Sequence, residues 1–184
     1  MLANAGFVFL GYQKMALTDK YENGLIVEYE ELFLSIHREP LKILEVGVYQ
    51  GGGLGWLSKY FPNSEIYGID IDVPKTDFQV FKCNQNDTAQ LHHIAEQIGP
   101  FDIVIDDGSH FKSETALTFT ALWPFTKMYV IEDWIAHYFE GGKYYGILDV
   151  VTSIMRRKKE LQISEMRLIL KDPKCSLAYF KRGI

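Results

Sequence analysis

Short apolar segments alternate along this chain with longer segments in which apolar residues recur every three or four positions. The longer spacing places the apolar side chains of residues 25–38 on one face of a helix, which Pro40 ends. Residues 41–46 form a compact apolar run that stops at Gly47, and this pattern predicts a buried strand. The regular structure is therefore expected to begin with a helix followed by a strand.

The alternation continues to the end of the chain. Further strands are predicted at residues 65–69, 78–83, 101–105 and 128–131, and helices at residues 51–60, 87–97 and 113–122. Another long helix is predicted after Gly141 and Gly142, running to about residue 159. Two final strands, residues 163–170 and 176–181, are joined by turn-forming residues, which favour a hairpin. This order predicts an α/β fold: a doubly wound, mostly parallel sheet with a C-terminal antiparallel hairpin.

The composition is that of an ordinary globular domain. A length of 184 residues suits one well-buried domain, of which residues 1–40 would be an N-terminal extension and helix. Hydrophobic residues make up 47% of the chain and charged residues 23%, which argues against disorder. With a net charge of −5, the chain lacks the excess of basic residues that is typical of a nucleic-acid-binding protein, so no nucleic-acid partner is expected.

The cysteines and the N-terminal residues indicate in which cellular compartment the protein is expected. Cys83 and Cys175 lie far apart without a CxxC partner, which favours a reducing compartment and argues against a zinc site, although one disulfide stays open. The apolar residues 7–10 are too few to span a membrane, and no charged segment typical of a secretory signal precedes them. We therefore expect a cytoplasmic protein without a membrane partner.

Two acidic clusters directly follow two of the predicted strands. The first contains Asp106, Asp107 and His110, and the second is the pair Glu132 and Asp133. Because ligands bind at the carboxyl ends of the strands in an open parallel sheet, we expect these groups at a ligand site. Carboxylate oxygens suit a divalent cation such as magnesium, and the imidazole suits a base. Taken alone, the second cluster would more simply be the acidic first turn of a helix, but the matching first cluster favours a shared site.

A glycine-rich turn follows the first predicted strand. Gly47 and Gly51 to Gly53 allow the backbone to approach a ligand closely, and the helix that follows would direct its N–H groups at an anionic group. Asp70 ends the next strand, 23 residues after Gly47, close to the offset at which a carboxylate binds the ribose of a dinucleotide. The turn matches neither GxGxxG nor GxxxxGK[ST], which counts against NAD and against a nucleoside triphosphate.

Together these motifs resemble the cofactor-binding half of class I S-adenosylmethionine-dependent methyltransferases, whose sheet is Rossmann-like. The segments that carry the likeness are residues 43–47, the glycine-rich turn, Trp56, residues 60–62 and residues 66–70. The two acidic clusters narrow it to the metal-dependent sugar O-methyltransferases of the mycinamicin type and to related cephalosporin-hydroxylase-like and rhamnosyl O-methyltransferases. The likeness runs from about residue 18 to residue 133.

The resemblance implies a binding site for S-adenosyl-L-methionine. Glu45 and the turn that contains Gly47, Tyr49 and Gly51 would hold its methionine part, and Asp70 would bind its ribose.

The resemblance also implies roles for residues outside the glycine-rich turn. Asp87 would lie near the adenine, and Asp19 and Lys20 match a short motif that would close over the cofactor. Asp106 would either contact the cofactor or cap and orient its neighbours.

For catalysis, the resemblance implies that Asp107, Glu132 and Asp133 bind Mg²⁺ and that His110 is the general base. A divalent cation lowers the pKa of an oxygen acid that it binds, and an imidazole titrates near neutrality. Manganese accepts the same oxygen ligands, so the choice between the two metals stays open. His137, four residues after Asp133, would face the cleft as a substrate contact or as a second base, if it has a role in the site.

These inferences predict an enzyme that methylates a hydroxyl of a small-molecule acceptor, a sugar or a glycosylated compound. The alternatives are methylation of a non-sugar diol and a module that binds S-adenosylmethionine without catalysis. An NAD-dependent oxidoreductase is disfavoured by the turn sequence. The sequence is also compatible with a homo-oligomer.

Overall fold

A seven-stranded sheet lies at the centre of the computed structural model, which describes residues 18–135, 146–172 and 175–183. The strands are β1 (Lys42–Val46), β2 (Glu65–Asp70), β3 (Gln79–Lys82), β4 (Phe101–Asp106), β5 (Thr126–Glu132), β6 (Ile163–Asp172) and β7 (Cys175–Arg182). Their order in the sheet is β3-β2-β1-β4-β5-β7-β6. The pairs among β1 to β5 are parallel, and β7 pairs antiparallel with both β5 and β6. The predicted fold class, with its C-terminal antiparallel hairpin, is confirmed.

Helices cover both faces of the sheet. They are α1 (Leu25–Phe33), α2 (Gly52–Tyr60), α3 (Thr88–Ile98), α4 (Lys112–Leu122) and α5 (Ile147–Arg156), and a short 3₁₀ helix, Trp123–Phe125, follows α4. Helices α1 and α2 form one apolar core against the sheet, whereas α3, α4 and α5 form a second core on the opposite face. Trp56, Trp123 and Trp134 are all buried. Among the described residues, no helix is long and apolar enough to span a bilayer.

Most predicted elements match the observed ones to within two residues in total, and three differ by more. Helix α1 ends at Phe33 rather than near residue 38, because the backbone tightens to a three-residue turn in which the Ile36 N–H donates to the Phe33 carbonyl at 2.9 Å. Strand β5 is longer than predicted at both ends and includes Glu132. The helix predicted after Gly142, to about residue 159, is observed as Ile147–Arg156, and residues 143–145 lie outside the described residues.

The strand order changes direction at β1. Its neighbours are β2 on one side and β4 on the other, so successive crossovers leave the sheet in opposite directions at this point. A crevice forms at the carboxyl ends of strands where an α/β sheet has such a switch point. The register aligns Val46, Asp106 and Ile131 across β1, β4 and β5. The residues that follow these three strand positions therefore meet at one edge of the sheet.

Candidate functional site

The glycine-rich turn after β1 touches the turn after β4. Gly47 has a φ of +89°, and a Cβ on it would collide with the Asp107 carbonyl and with the backbone of Gly108. Only glycine therefore fits the conformation and the close approach at this position. The turn itself is fixed by Asp70, whose Oδ2 accepts hydrogen bonds from the N–H groups of Val48 at 2.7 Å and Tyr49 at 2.9 Å.

A cavity of about 680 Å³ opens at this contact. Its wall is built from the turn before α1, the ends of β1, β2 and β3, the start of α2 and the turn after β4. The lining residues that matter below are Asp19, Lys20, Glu45, Gly47, Tyr49, Gly53, Asp70, Asn84, Gln85 and Asp107. A volume of this size suits a ligand of nucleoside dimensions.

Glu45 reaches into the cavity from β1 with its carboxylate only 1% exposed. Burial raises its pKa to about 8. Its Oε2 has no hydrogen-bond partner among the described residues, and Gly53 leaves no room for a Cβ beside the carboxylate. A buried acceptor without a partner fits the ammonium group of a methionine-like ligand, as the predicted role of Glu45 requires.

The predicted cofactor residues do not all face the cavity. Glu45, Gly47, Tyr49 and Asp70 line it. Gly51 does not, but with a φ of +84° it precedes the first residue of α2 and so sets the direction of that helix. The carboxylate of Asp70 retains acceptor capacity beyond its bonds to the turn, because each oxygen has two lone pairs.

Asp87 and Asp106 have other contacts. Asp87 caps α3, accepting a hydrogen bond from the Gln90 N–H at 2.9 Å, and it is absent from the cavity wall. Its contact with adenine stays a prediction, one that the lining of the cavity does not support.

Asp106 is buried, and burial raises its pKa to about 7. Its carboxylate accepts hydrogen bonds from Gln85 Nε2 at 3.2 Å and from the Tyr129 hydroxyl at 2.9 Å. Gln85 Oε1 in turn accepts from the Ser109 N–H at 2.8 Å, so Asp106 and Gln85 together stabilise the turn after β4. Of the two roles open to Asp106, the contacts favour orientation of its neighbours.

Three groups come together beside the wall that Asp107 contributes to the cavity. Asp107, His110 and Asp133 each offer a ligand atom within 4.8 Å of the other two. Asp133 Oδ1 is buried without a hydrogen-bond partner among the described residues, and burial raises the pKa of this carboxyl to about 8. Unpartnered carboxylate oxygen beside an imidazole and a second carboxylate is a donor set that fits a divalent cation.

Several residues of the candidate site have a positive φ. Tyr49, His110 and Asp133 have φ values of 51°, 58° and 53°, and Gln162 is the only other non-glycine residue with positive φ in the described chain. Such conformations are sparsely populated for residues with a Cβ and often accompany functional sites.

Glu132 is held by other side chains. Because neighbouring strand residues point to opposite faces, Glu132 in β5 points to the face that α1 covers. There its Oε1 accepts hydrogen bonds from Lys20 Nζ at 2.7 Å and from the Tyr29 hydroxyl at 2.6 Å. Burial raises the pKa of Glu132. Its predicted role as a metal ligand stays a prediction, since it is not among the three clustered groups.

Sequence reasoning missed several of these contacts. In the sequence, Tyr29 is one of the apolar residues of an amphipathic helix. No neighbouring residue indicates that its hydroxyl donates a hydrogen bond to Glu132. Gln85 sits beside the proposed adenine residue Asp87 without being singled out. Lys20 was expected only at a closing segment, whereas its ammonium lies within 3.7 Å of three carboxylates. His137 lies outside the described residues.

No family model matches the chain, but individual proteins do. The mycinamicin VI 2''-O-methyltransferase of Micromonospora griseorubida is 33% identical over 85% of this chain and 43% of its own length. A rhamnosyl-tetracenomycin-C 3'-O-methyltransferase of Streptomyces olivaceus is 36% identical over 59% of this chain and 32% of its own length. The chain thus spans less than half the length of these curated relatives.

A solved structure agrees with them. The MycE methyltransferase of the mycinamycin pathway, in complex with Mg and SAH, superposes with a TM-score of 0.74 at 26% identity, covering 85% of this chain and 49% of that one. The resemblance expected from the motifs, to class I methyltransferases and within them to sugar O-methyltransferases, is confirmed.

Proposed function

We propose that this chain, a relative of sugar O-methyltransferases with their fold, catalyses Mg²⁺-dependent transfer of a methyl group from S-adenosyl-L-methionine to a hydroxyl of a sugar or glycosylated small molecule. The observation that carries the proposal is the continuity of one cavity from Glu45 to Asp107. A donor held at Glu45 would present its methyl group toward the cluster of Asp107, His110 and Asp133.

The donor end would use the residues of the first half of the sheet. The Glu45 carboxylate would accept from the ammonium of the methionine part, and the turn at Gly47 and Tyr49 would lie against it. Asp70 would accept from the ribose hydroxyls while it keeps its bonds to the turn. Asn84 lines the cavity at the end of β3, where its side-chain amide would pair with the polar edge of the adenine, whereas the amide of the neighbouring Gln85 is already bonded to Asp106 and Ser109. These residues position the donor, which is the main requirement for methyl displacement.

The acceptor end would use the acidic cluster. Asp107 and Asp133, with Glu132 behind them, would hold the cation. When bound, a divalent cation supplies a lowered pKa at the acceptor hydroxyl. The His110 imidazole, whose Nε2 lies 3.6 Å from Asp107 Oδ1, would leave the cation to the carboxylates and would accept the hydroxyl proton. Asp107 would also keep the imidazole oriented, since the two groups are three residues apart on one turn.

The comparisons support a sugar hydroxyl as the acceptor, because the named relatives methylate sugars of natural products. Methylation of a non-sugar diol is the alternative, since a metal accepts any adjacent pair of oxygens. We also propose a reducing, cytoplasmic setting, in agreement with the two buried free cysteines Cys83 and Cys175. Association into a homo-oligomer belongs to the same proposal.

Methyl transfer from isotopically labelled S-adenosylmethionine tests this function directly. The full chain is incubated with a glycoside, a catechol and no acceptor, each with Mg²⁺ or with EDTA. We expect Mg²⁺-dependent labelling of the glycoside and weaker labelling of the catechol. Calorimetry with S-adenosylhomocysteine and with NAD is the companion measurement. Binding of the first without any transfer would indicate a non-catalytic module, and binding of NAD alone would refute the proposal.

A further inference from the structure

Lys20 is the one buried lysine of the described chain whose ammonium lies among the acidic residues of the site. It sits in the turn before α1 and is only 2% exposed. Its Nζ donates to Asp107 Oδ2 at 2.6 Å and to Glu132 Oε1 at 2.7 Å. Glu45 Oε1 lies 3.7 Å away. The ammonium therefore joins the donor end of the cavity to its acidic end.

Strand alternation explains why these groups share one side of the sheet. Glu45 in β1 and Glu132 in β5 both point to the face covered by α1 and α2, whereas Asp106 points to the opposite face. Buried carboxylates of like sign so close together require a counter-charge. Among the described residues, Lys20 is the only lysine or arginine that forms a salt bridge with any of them.

The two oxygens of Asp107 have different neighbours. Oδ2 accepts from the Lys20 ammonium, while Oδ1 lies 3.6 Å from His110 Nε2. Asp107 therefore belongs both to the ammonium site and to the group of three that fits a divalent cation. A metal ion bound to that group would be separated from Lys20 by a single carboxylate, and the two cations would repel each other in a poorly solvated site.

We propose that Lys20 is a built-in competitor of the divalent cation: its ammonium occupies part of the acidic cluster and lowers the affinity of that cluster for metal. The inference rests on the proposed function for the presence of a metal site, and it adds what sets the strength of that site. Lys20 thus allows the carboxylates to pack without metal. A divalent ion binds only if it displaces the Lys20 ammonium from these carboxylates or shares them with it.

Binding of Mn²⁺, followed by electron paramagnetic resonance, tests the competition without any activity assay. Lys20→Met removes the charge and keeps the length of the side chain, whereas Lys20→Arg keeps the charge. Lys127→Met is the matched control, because Lys127 pairs with Asp102 at 2.7 Å at the opposite end of β4 and β5. In that control the lysine side chain is 68% exposed, compared with 3% for Lys20.

We expect Lys20→Met to bind Mn²⁺ about tenfold more tightly than the wild type, since removal of a cation one carboxylate away relieves that repulsion. Lys20→Arg and Lys127→Met should bind like the wild type. We also expect Lys20→Met to unfold at a lower temperature in EDTA and to gain more from added Mn²⁺ than the wild type does. Unchanged or weaker binding by Lys20→Met would overturn the proposal, and so would equal tightening in Lys20→Arg.

Three further observations separate the two proposals. If Lys20→Met folds only with metal, recovery of the wild-type circular dichroism on titration with Mn²⁺ supports the proposal, and failure to recover at millimolar Mn²⁺ overturns it. A wild-type protein that binds Mn²⁺ but transfers no methyl group would refute the proposed function and leave the role of Lys20 standing. Absence of Mn²⁺ binding by both the wild type and Lys20→Met would refute the role of Lys20.

Discussion

The two halves of the cavity are built by different means. On the side of β1 and β2, the turn is fixed by backbone: Gly47 meets the next turn without a side chain, and Asp70 accepts hydrogen bonds from the N–H groups of Val48 and Tyr49. On the side of β4 and β5, buried carboxylates are held by side chains from distant parts of the chain, Lys20 and Tyr29. The first half is fixed by conformation and the second by charge.

This difference has a thermodynamic consequence. A turn held by backbone geometry keeps its shape whether or not a ligand is present. Carboxylates gathered in a buried site repel one another, and burial raises the pKa of Asp107 and of Glu132. We therefore expect the donor half to tolerate loss of metal and the acidic half to depend on its cations. Each prediction below tests one side of that contrast.

The largest effect is expected at the acidic half. Asp107→Ala removes a proposed metal ligand and the partner of His110, so turnover should fall by about a thousandfold or more, as expected for loss of a metal-stabilised charge. The affinity for S-adenosylhomocysteine should change little, because the Asp107 N–H still donates to the Val46 carbonyl and keeps the turn in place. Steady-state methyl transfer and calorimetry measure the two quantities.

Glu160→Ala is the control for Asp107→Ala, because Glu160 also pairs with a cation at 2.6 Å but on the surface. It should leave turnover unchanged. Retained turnover in Asp107→Ala, or an equal loss of cofactor affinity and turnover, would remove the division between the two halves.

The donor half is most sensitive at Gly47. Gly47→Ala places a Cβ against the Asp107 carbonyl at a φ of +89°, which should lower the free energy of unfolding by roughly 2–4 kcal/mol. Gly55→Ala, inside α2, should be neutral or stabilising by up to about 1 kcal/mol, because helical glycine is unfavourable relative to alanine. Urea denaturation measures both, and similar stabilities for the two variants would contradict the close approach.

The contrast also explains which parts could be predicted from sequence. Strand positions, helix order and the glycine turn follow from local signals: apolar period, proline, and glycine at a strand end. Asp107, Glu132 and Asp133 were predicted as metal ligands and His110 as the base, because all four come at the ends of strands in an α/β sheet. The structure brings Asp107, His110 and Asp133 together, whereas Glu132 is not in that group. A rule about strand ends suffices for such residues.

What could not be predicted depends on contacts distant in sequence. Lys20 reaches Glu132 across 112 residues, and Tyr29 reaches it across 103. Neither residue differs locally from a surface lysine or a core tyrosine. The predicted end of β5, at residue 131, was also wrong. A charged residue is seldom buried unless it is paired, so Glu132 was placed after the strand. In the structure Glu132 is buried within β5, with Lys20 as its counter-charge.

Glu45 lies where the two halves join, and its ionisation gives a pH-dependent test. Burial raises its pKa to about 8, so between its ordinary value and pH 8 the folded protein keeps a proton that the unfolded chain loses. The wild type should therefore lose stability relative to Glu45→Gln as pH rises from about 5 to about 8, by roughly 1–3 kcal/mol, and no further above that. Because the other carboxyl groups titrate in both proteins, the difference between the two urea curves isolates Glu45. Parallel curves across this range would contradict the burial of an ionisable Glu45.

The smallest effect concerns Asp87, the predicted adenine contact that lies outside the cavity wall. Asp87→Ala removes the cap of α3, in which the carboxylate accepts from the Gln90 N–H at 2.9 Å, and should cost about 1 kcal/mol of stability. Asp87→Ser keeps a capping oxygen and should recover most of that loss. If Asp87 serves the helix alone, both variants bind S-adenosylhomocysteine within about twofold of the wild type. Weaker binding in both would place Asp87 at the adenine after all, and the donor half would then depend on a side chain as well as on its backbone.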